Sequence, residues 1–284
     1  MTDLGSDSFD DATFFNFCQY IRNSCGIVIR ENKKTHLGNR LRKRIKELQL
    51  NSFAEYWAYL TDPENRDENY HLYDAVTINE TYFQRGSIHY KILTSHVLPG
   101  FYKNRRSRVS LWSCATSTGE EAWDLAMEAL EFEKNNPGIS IDITATDISR
   151  QALEFAQNGQ YADRRIDHLT ENQTGLYFIE LPASSSCLPY AKKVLAVKPV
   201  LREKVAFSYH NMISDDYVDG VDVIFCRNVL IYFDPETRES VVEKLYRALH
   251  PGGYLFLGHS DALQTPALKF TPRRFPEGIV YQKP

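Results

Sequence analysis

Cysteine is scarce in this chain and shows no ligand pattern. Five cysteines (Cys18, Cys25, Cys114, Cys187 and Cys226) are scattered over 284 residues. None stands in the close pairs that bind zinc, so no metal site is expected. Their odd number and wide spacing argue against a disulfide framework and predict free thiols in a reducing cytoplasm. Long apolar runs are also missing. Nothing approaches the roughly 20 residues of a membrane helix, so no direct membrane insertion is expected. The opening MTDLGSDSFDD lacks the basic and apolar regions of a secretory signal. Net charge is low: 33 basic against 37 acidic residues leave −4, which excludes a basic nucleic-acid coat. No repeat and no low-complexity tract is present. Glycine-rich phosphate loops are absent too, since neither G-x-G-x-x-G nor a P-loop lysine occurs.

What is present is an ordinary globular balance, 43% hydrophobic and 25% charged, with an aromatic content of 13%. Aromatics of this number fill cores or stack on ligands, and composition does not choose between these uses.

The patterning changes near residue 107. Before it, apolar spacing is helical. Phe9, Phe14, Phe15, Phe17, Tyr20 and Ile21 mark a first amphipathic helix behind a polar tail, and Leu37, Leu41, Ile45 and Leu48 form a second stripe. Phe53–Leu60 and His71–Ile78 read as two short helices around the polar loop TDPENRDEN. Lys91–Phe101 reads as a helix leading onward, and KNRRSR as an exposed junction. After residue 107, buried strands at Val109–Trp112, Ile141–Ala145, Val221–Cys226 and Tyr254–Leu257 alternate with helices at Glu120–Lys134, Arg150–Asn158 and Pro235–Leu249. This alternation predicts an α/β fold with a parallel sheet. Pro251-Gly252-Gly253 reads as a turn before the Tyr254 strand. Leu176–Leu181 and Lys192–Val197, joined by PASSSCLPYA, read as a small antiparallel insertion. The resulting division is a helical domain over 8–90, a linker helix over 91–106, and an α/β domain over 107–284 with its insertion near 176–200.

The clearest chemical signal is the strand–turn–helix LWSCATSTGEE (111–121). Its small residues allow a ligand to approach the backbone at the carboxyl end of the sheet. Glu120 and Glu121 repel phosphate and suit an ammonium group, and Asp147 stands where an acid accepts hydrogen bonds from a ribose diol. Singly, these acids also read as helix-end charges and a cap. Jointly they point to a cationic adenosine ligand, S-adenosylmethionine. A third segment, FCRNVLIYF (225–233), brings Arg227 and Asn228 to the same sheet end, with Tyr232 as either packing or a positioning group.

SCATSTGEEAWDLAM, ATDIS, FCRNVLIYFD, GGYLFLGHS and TINETYFQR together resemble the chemotaxis-receptor glutamate methyltransferases, the CheR type. The resemblance runs from about Phe14 to the last strand, Ile279–Tyr281. It implies a small all-α domain followed by a Rossmann-like methyltransferase domain. It implies S-adenosylmethionine as cofactor and S-adenosylhomocysteine as product. Cofactor contacts carried over residue by residue fall on Asn79, Thr81, Arg85, Glu121, Asp147, Asn211, Met212, Asn228 and Val229. Arg85 and Tyr232 fall near the methyl-transfer centre. The implied partner is the cytoplasmic domain of a methyl-accepting chemoreceptor, with the enzyme cytoplasmic, monomeric and not bound to nucleic acid. A non-catalytic cofactor-binding adaptor of the same fold is the alternative. A nucleic-acid methyltransferase ranks last, because no N/D-P-P-Y/F motif is present.

Three positions depart from the family pattern: Ala122 replaces a proline, Gln84 a phenylalanine, and SCAT a SAAC-like string. Gln84 is the departure expected to reshape the pocket's lid. From Arg30 to Lys46, eight basic side chains against one acidic give a local charge of +7. The bland reading is a solvated face or a nucleic-acid patch. The resemblance assigns Arg40, Arg42, Lys43, Arg44 and Lys46 to docking on an acidic receptor helix.

Overall fold

The computed structural model describes residues 9–162, 165–182, 187–188, 191, 193–213, 217–261 and 269–284. The polar N-terminal tail up to residue 8 and most of the PASSSCLPYA loop lie outside the described residues.

Four helices build the N-terminal part: α1 (Asp11–Cys25), α2 (Lys34–Glu47), α3 (Phe53–Thr61) and α4 (Glu68–Val76). Asp10 caps α1 by accepting the Thr13 N–H, and Gly26 ends it in the left-handed region at φ 76°. The expected stripe on α2 is the buried one, with Leu37, Leu41 and Ile45 all inward. Much of the aromatic content goes into this core. Phe9 stacks on Phe53 with centroids 4.3 Å apart, and Phe17 meets both Tyr56 and Trp57. Part of the loop read from TDPENRDEN is instead structured, with a short 3₁₀ turn at Pro63–Asn65 and Glu68 opening α4.

The linker is one longer helical run, α5 (Ile88–Ile92) and α6 (Leu98–Lys103), joined by a π-helical turn at Leu93–Val97. Ile92, Leu93, Val97 and Leu98 are buried in the core of the α/β part.

The α/β part continues with β1 (Arg108–Cys114), α7 (Glu120–Asn135), β2 (Ser140–Asp147), α8 (Arg150–Asn158), β3 (Gln160–Ala162), α9 (Glu171–Tyr177), β4 (Phe178–Leu181) and β5 (Val194–Val197). Then come α10 (Pro199–Arg202), β6 (Val205–Tyr209), β7 (Val221–Cys226), α11 (Pro235–Ala248), β8 (Leu249–Leu257), β9 (Thr271–Phe275) and β10 (Gly278–Gln282). The main sheet has the order β6-β2-β1-β7-β8-β10-β9. Its first five strands are parallel, β10 runs antiparallel to β8, and β9 runs antiparallel to β10. Alternate side chains serve opposite faces: Leu111 joins one buried cluster and Trp112 the other.

Three expectations change here. The insertion is a three-stranded sheet, β3-β5-β4, because the short β3 after Gly159 pairs with β5. Leu176 lies in the last turn of α9, which ends at Tyr177, so β4 begins at Phe178 rather than at 176. Pro251-Gly252-Gly253 lies inside β8, where the ladder with β7 jumps from Val221↔Leu249 to Val223↔Tyr254. The extra residues bulge out of the ladder, so the strand is interrupted without ending.

The chain reverses its direction across the sheet between β1 and β7. At that switch point Cys114, Thr146 and Cys226 lie in register, so the segments following β1, β2 and β7 emerge side by side. The helical part closes over this end. Val28 donates to the Tyr232 carbonyl at 2.9 Å, Asn211 Nδ2 to the Ser24 carbonyl at 2.7 Å, and Arg22 to Asp234 at 2.7 Å.

Candidate active site

The turn after β1 is tight and strained. Ala115, Ser117 and Gly119 all have positive φ, at 65°, 54° and 94°. Only Gly119 has no alternative: a Cβ there would sit 2.6 Å from Ala156 Cβ. Surrounding hydrogen bonds hold the other two. Thr116 N–H donates to the Thr146 carbonyl, Ser117 N–H to Asp147 Oδ2 at 2.7 Å, and Tyr161 Oη donates to the Thr118 carbonyl at 2.6 Å. Strain of this kind, about 1–3 kcal/mol per residue, persists where the surroundings over-determine it and concentrates at ligand sites.

The two acids of the turn separate. Glu120 is fully buried and points away from the sheet end, accepting from Thr118 Oγ1 and from Arg165. Glu121 faces the cleft, accepting from Ser113 Oγ at 2.7 Å and from Arg227 Nη1 at 3.0 Å. The expectation of two acids serving one cationic ligand therefore reduces to Glu121: both acids are paired with an arginine, but only Glu121 lines the cleft. Asp147 accepts the Ser117 and Ser149 N–H groups. Its burial pushes the carboxyl pKa up, and those N–H groups oppose the rise.

Arg227 is the residue that sequence reasoning left without a role. Its guanidinium is 5% exposed and ties three segments together: Glu121 on α7, the Tyr90 hydroxyl on α5 at 3.3 Å, and the Arg85 carbonyl. Its place at a strand end was visible in the sequence, but its partners lie more than 100 positions away. After it, Asn228 turns at φ 60° and Tyr232 closes a 3₁₀ turn at Leu230–Tyr232. Burial raises the Tyr232 pKa, and the nearby Arg85 charge opposes the rise.

Asp261, in the 3₁₀ turn His259–Asp261 that follows β8, holds this loop from behind. It is fully buried, accepts the Asn228 N–H, and has no partner for Oδ1 among the described residues. Gly258 makes room for it, since a Cβ there would lie 2.5 Å from Asp261 Oδ2. Asp261→Asn keeps the shape but loses the charge-assisted bond. Cofactor affinity is expected to fall about tenfold, read by calorimetric titration. An unchanged affinity would show that the loop needs no such pin.

The segment 79–85 forms the opposite wall. Phe83 is buried against Tyr161 and Phe178 of the insertion and its approach. Gln84 points into the protein rather than shaping a lid: its backbone N–H and its side-chain amide both bond the buried Asp124, at 2.6 and 2.8 Å. Asp124 thus explains the departure at position 84. Arg85 Nη1 donates to the Glu80 carbonyl at 2.9 Å, and no second hydrogen-bond acceptor meets Arg85 among the described residues. Asn79 makes a long 3.4 Å contact to Ser149 Oγ. Both ends of the Asn211 amide are engaged, with the Ser24 carbonyl and the Ile213 N–H.

Asn79, Thr81, Arg85, Glu121, Asp147, Asn211, Met212, Asn228, Val229 and Tyr232 all line one cleft. Its lining comes from the helical part and from the segments after β1, β2, β6 and β7, so the cleft lies between the two parts of the chain. The basic residues of α2 lie elsewhere and divide in two. Arg40 donates to the Ala75 and Thr77 carbonyls, and Arg44 to Glu68, so both are structural. Lys43 and Lys46 are exposed, and Arg42 is half-buried over the Phe53 ring. Among the described residues no group of acids, histidines and cysteines forms a metal site, and all five cysteines are free. No described helix is long and apolar enough to cross a membrane.

Two family models match the chain: "CheR methyltransferase, all-alpha domain" over residues 12–77 and "CheR methyltransferase, SAM binding domain" over residues 79–279. Chemotaxis protein methyltransferase 1 of Vibrio cholerae is 32% identical over 278 residues, covering 97% of this chain and 98% of that protein. The chemotaxis protein methyltransferase of Salmonella typhimurium is 33% identical, covering 94% of this chain and 89% of that protein. The Escherichia coli protein of the same name is 32% identical, covering 94% and 90%.

Proposed function

The chain belongs to the CheR methyltransferase family, a family of S-adenosylmethionine-dependent methyltransferases of chemotaxis, and from this we propose that it esterifies glutamate side chains in the cytoplasmic domains of chemoreceptors. The carrying observation is the single cleft at the sheet's switch point, which gathers every residue that the family motifs single out.

The cleft suits the cofactor chemically. Of its three carboxylates, Glu80 stands exposed at the mouth, while Glu121 and Asp147 suit a ligand with an ammonium group and a ribose diol. The hydroxyls of Thr116 and Ser117 are buried on its turn without partners. Bound there, S-adenosylmethionine supplies a methyl group activated by its sulfonium charge. We assign Asp147 to the ribose, Glu121 to the amino end, and Asn79, Thr81, Asn211, Met212, Asn228 and Val229 to the cofactor's edges.

A glutamate has an unperturbed pKa of about 4.3 and reaches the site already ionised, so no general base is required. The work left to the protein is alignment and the exclusion of water. Arg85, with donors to spare, fits the holding of a carboxylate, and Tyr232 fits the placing of one of its oxygens. The reading places the enzyme in the cytoplasm, where receptor signalling domains lie.

The test is incubation of the protein with labelled cofactor and a purified receptor cytoplasmic fragment from the same genome. Base-labile methyl groups mapped to glutamates by mass spectrometry support the reading; cofactor binding without such esters removes it. Docking belongs to the solvated members of the α2 set. The Lys43→Glu/Lys46→Glu variant is expected to raise the receptor KM about tenfold at low salt, with cofactor affinity unchanged. A receptor KM equal to wild type would take docking away from this face.

A further inference from the structure

The mouth of the cleft carries large apolar side chains in water. Ile78 is 51% exposed, Ile231 47%, Val28 41% and Tyr82 39%. Ile78, Tyr82 and Ile231 line the cleft itself. Val28 joins them across the domain contact, because its N–H donates to the carbonyl of Tyr232, next to Ile231. These residues come from three separate stretches of chain: the loop after α1, the segment after α4 and the turn after β7. Single exposed aliphatics need no explanation, but convergence around one opening marks an interaction surface.

The charges nearby indicate the occupant. Arg30 and Lys33 follow Val28 in the chain, are exposed, and form no ion pair among the described residues. Glu80, also exposed at the cleft mouth, disfavours a further carboxylate beside the one that enters. An apolar ring at the opening, an acid that repels close carboxylates and unneutralised cations further out together fit an acidic amphipathic helix.

We propose that this rim reads the residues flanking the methylated glutamate: it receives apolar side chains one helical turn before and after the target, on the same helix face. The proposal deepens the glutamate methyltransferase reading and rests on it. Residues at i±3 and i±4 are the ones that share a face with a residue pointing into the cleft, about 5–6 Å away. They land on Ile78, Tyr82, Ile231 and Val28, while acidic positions further round the helix meet Arg30 and Lys33. A glutamate flanked at those positions by charged residues is then a poor substrate, even within an acidic helix.

The experiment is steady-state methylation of the purified receptor fragment by wild type, Ile78→Ser/Ile231→Ser, and Ile231→Leu. Both altered side chains are exposed, so thermal unfolding should stay at the wild-type midpoint. The double variant is expected to raise the receptor KM about tenfold, with kcat and cofactor Kd within about twofold, as loss of apolar contact predicts. Ile231→Leu keeps the contact and should behave as wild type. If wild type methylates the fragment and the double variant shows the same KM, the rim reading is overturned. If wild type esterifies no glutamate at all, the underlying reading fails and the rim proposal falls with it.

Discussion

An Arg227→Met enzyme is expected to lose about 3–5 kcal/mol of folding stability, the usual cost of removing one partner from a buried ion pair. Glu121 would keep only the Ser113 hydroxyl, at a position where its side chain is 13% exposed. The Tyr90 hydroxyl and the Arg85 carbonyl would lose the same donor. Methionine fills similar volume, so the loss reports on charge and hydrogen bonding more than on a cavity. Urea unfolding measures it, and a loss below about 1 kcal/mol would contradict the assignment. Activity should suffer further. Arg227 connects the segment carrying Asn79, Thr81 and Arg85 to the strand end carrying Asn228. Misplacing reacting groups by about 1 Å can cost about 100-fold, so methyl transfer should fall by at least that factor. Adding Glu121→Gln should recover part of the stability, because it removes the uncompensated charge, but not the activity.

Arg44→Ala is the second large effect, and it appears in stability although the residue lies in the basic segment expected to dock on a receptor. Glu68 is 4% exposed and accepts from Arg44 Nε at 2.8 Å, Arg44 Nη2 at 2.7 Å and the Tyr56 hydroxyl at 2.9 Å. Without Arg44 a buried carboxylate keeps one neutral donor. The expected loss is about 3 kcal/mol, at the lower end for a buried pair because Arg44 is itself 20% exposed. Lys46→Ala should change stability by less than about 0.5 kcal/mol. Circular dichroism melts of the two variants separate these outcomes; equal melting points would remove the structural role of Arg44. Adding Glu68→Gln to Arg44→Ala should restore part of the loss. Docking therefore has to be tested at Lys43 and Lys46, since an Arg44 variant confounds binding with folding.

The elements that were readable share one property: their signal lies within a few residues. The α2 stripe, the apolar cores of β1, β2 and β7, and the small-residue turn before Glu120 are periodicities or propensities of adjacent positions. β3 has only three residues, too few for a period. β6 has an alternating Val-Ala-Phe-Ser-Tyr pattern, weaker than the continuous apolar runs of the inner strands. β9 carries Pro272 and two arginines, as an exposed edge strand allows.

By itself, the sequence determined the fold class, the strand–turn–helix around Gly119 and the family, because each is written in local pattern or contiguous motif. The tertiary structure alone decided where each charge is placed and what it meets. Glu120 and Glu121 are neighbours of identical chemistry and each pairs with an arginine, yet Glu120 is fully buried with Arg165 while Glu121, paired with Arg227, lines the cleft. Arg44 and Lys46 are two positions apart on one helix, yet one anchors a buried acid and the other stands in water. Successive positions on a helix point about 100° apart, so neighbours in the chain meet different environments. The partner that waits in each direction is brought there by segments tens to hundreds of residues away.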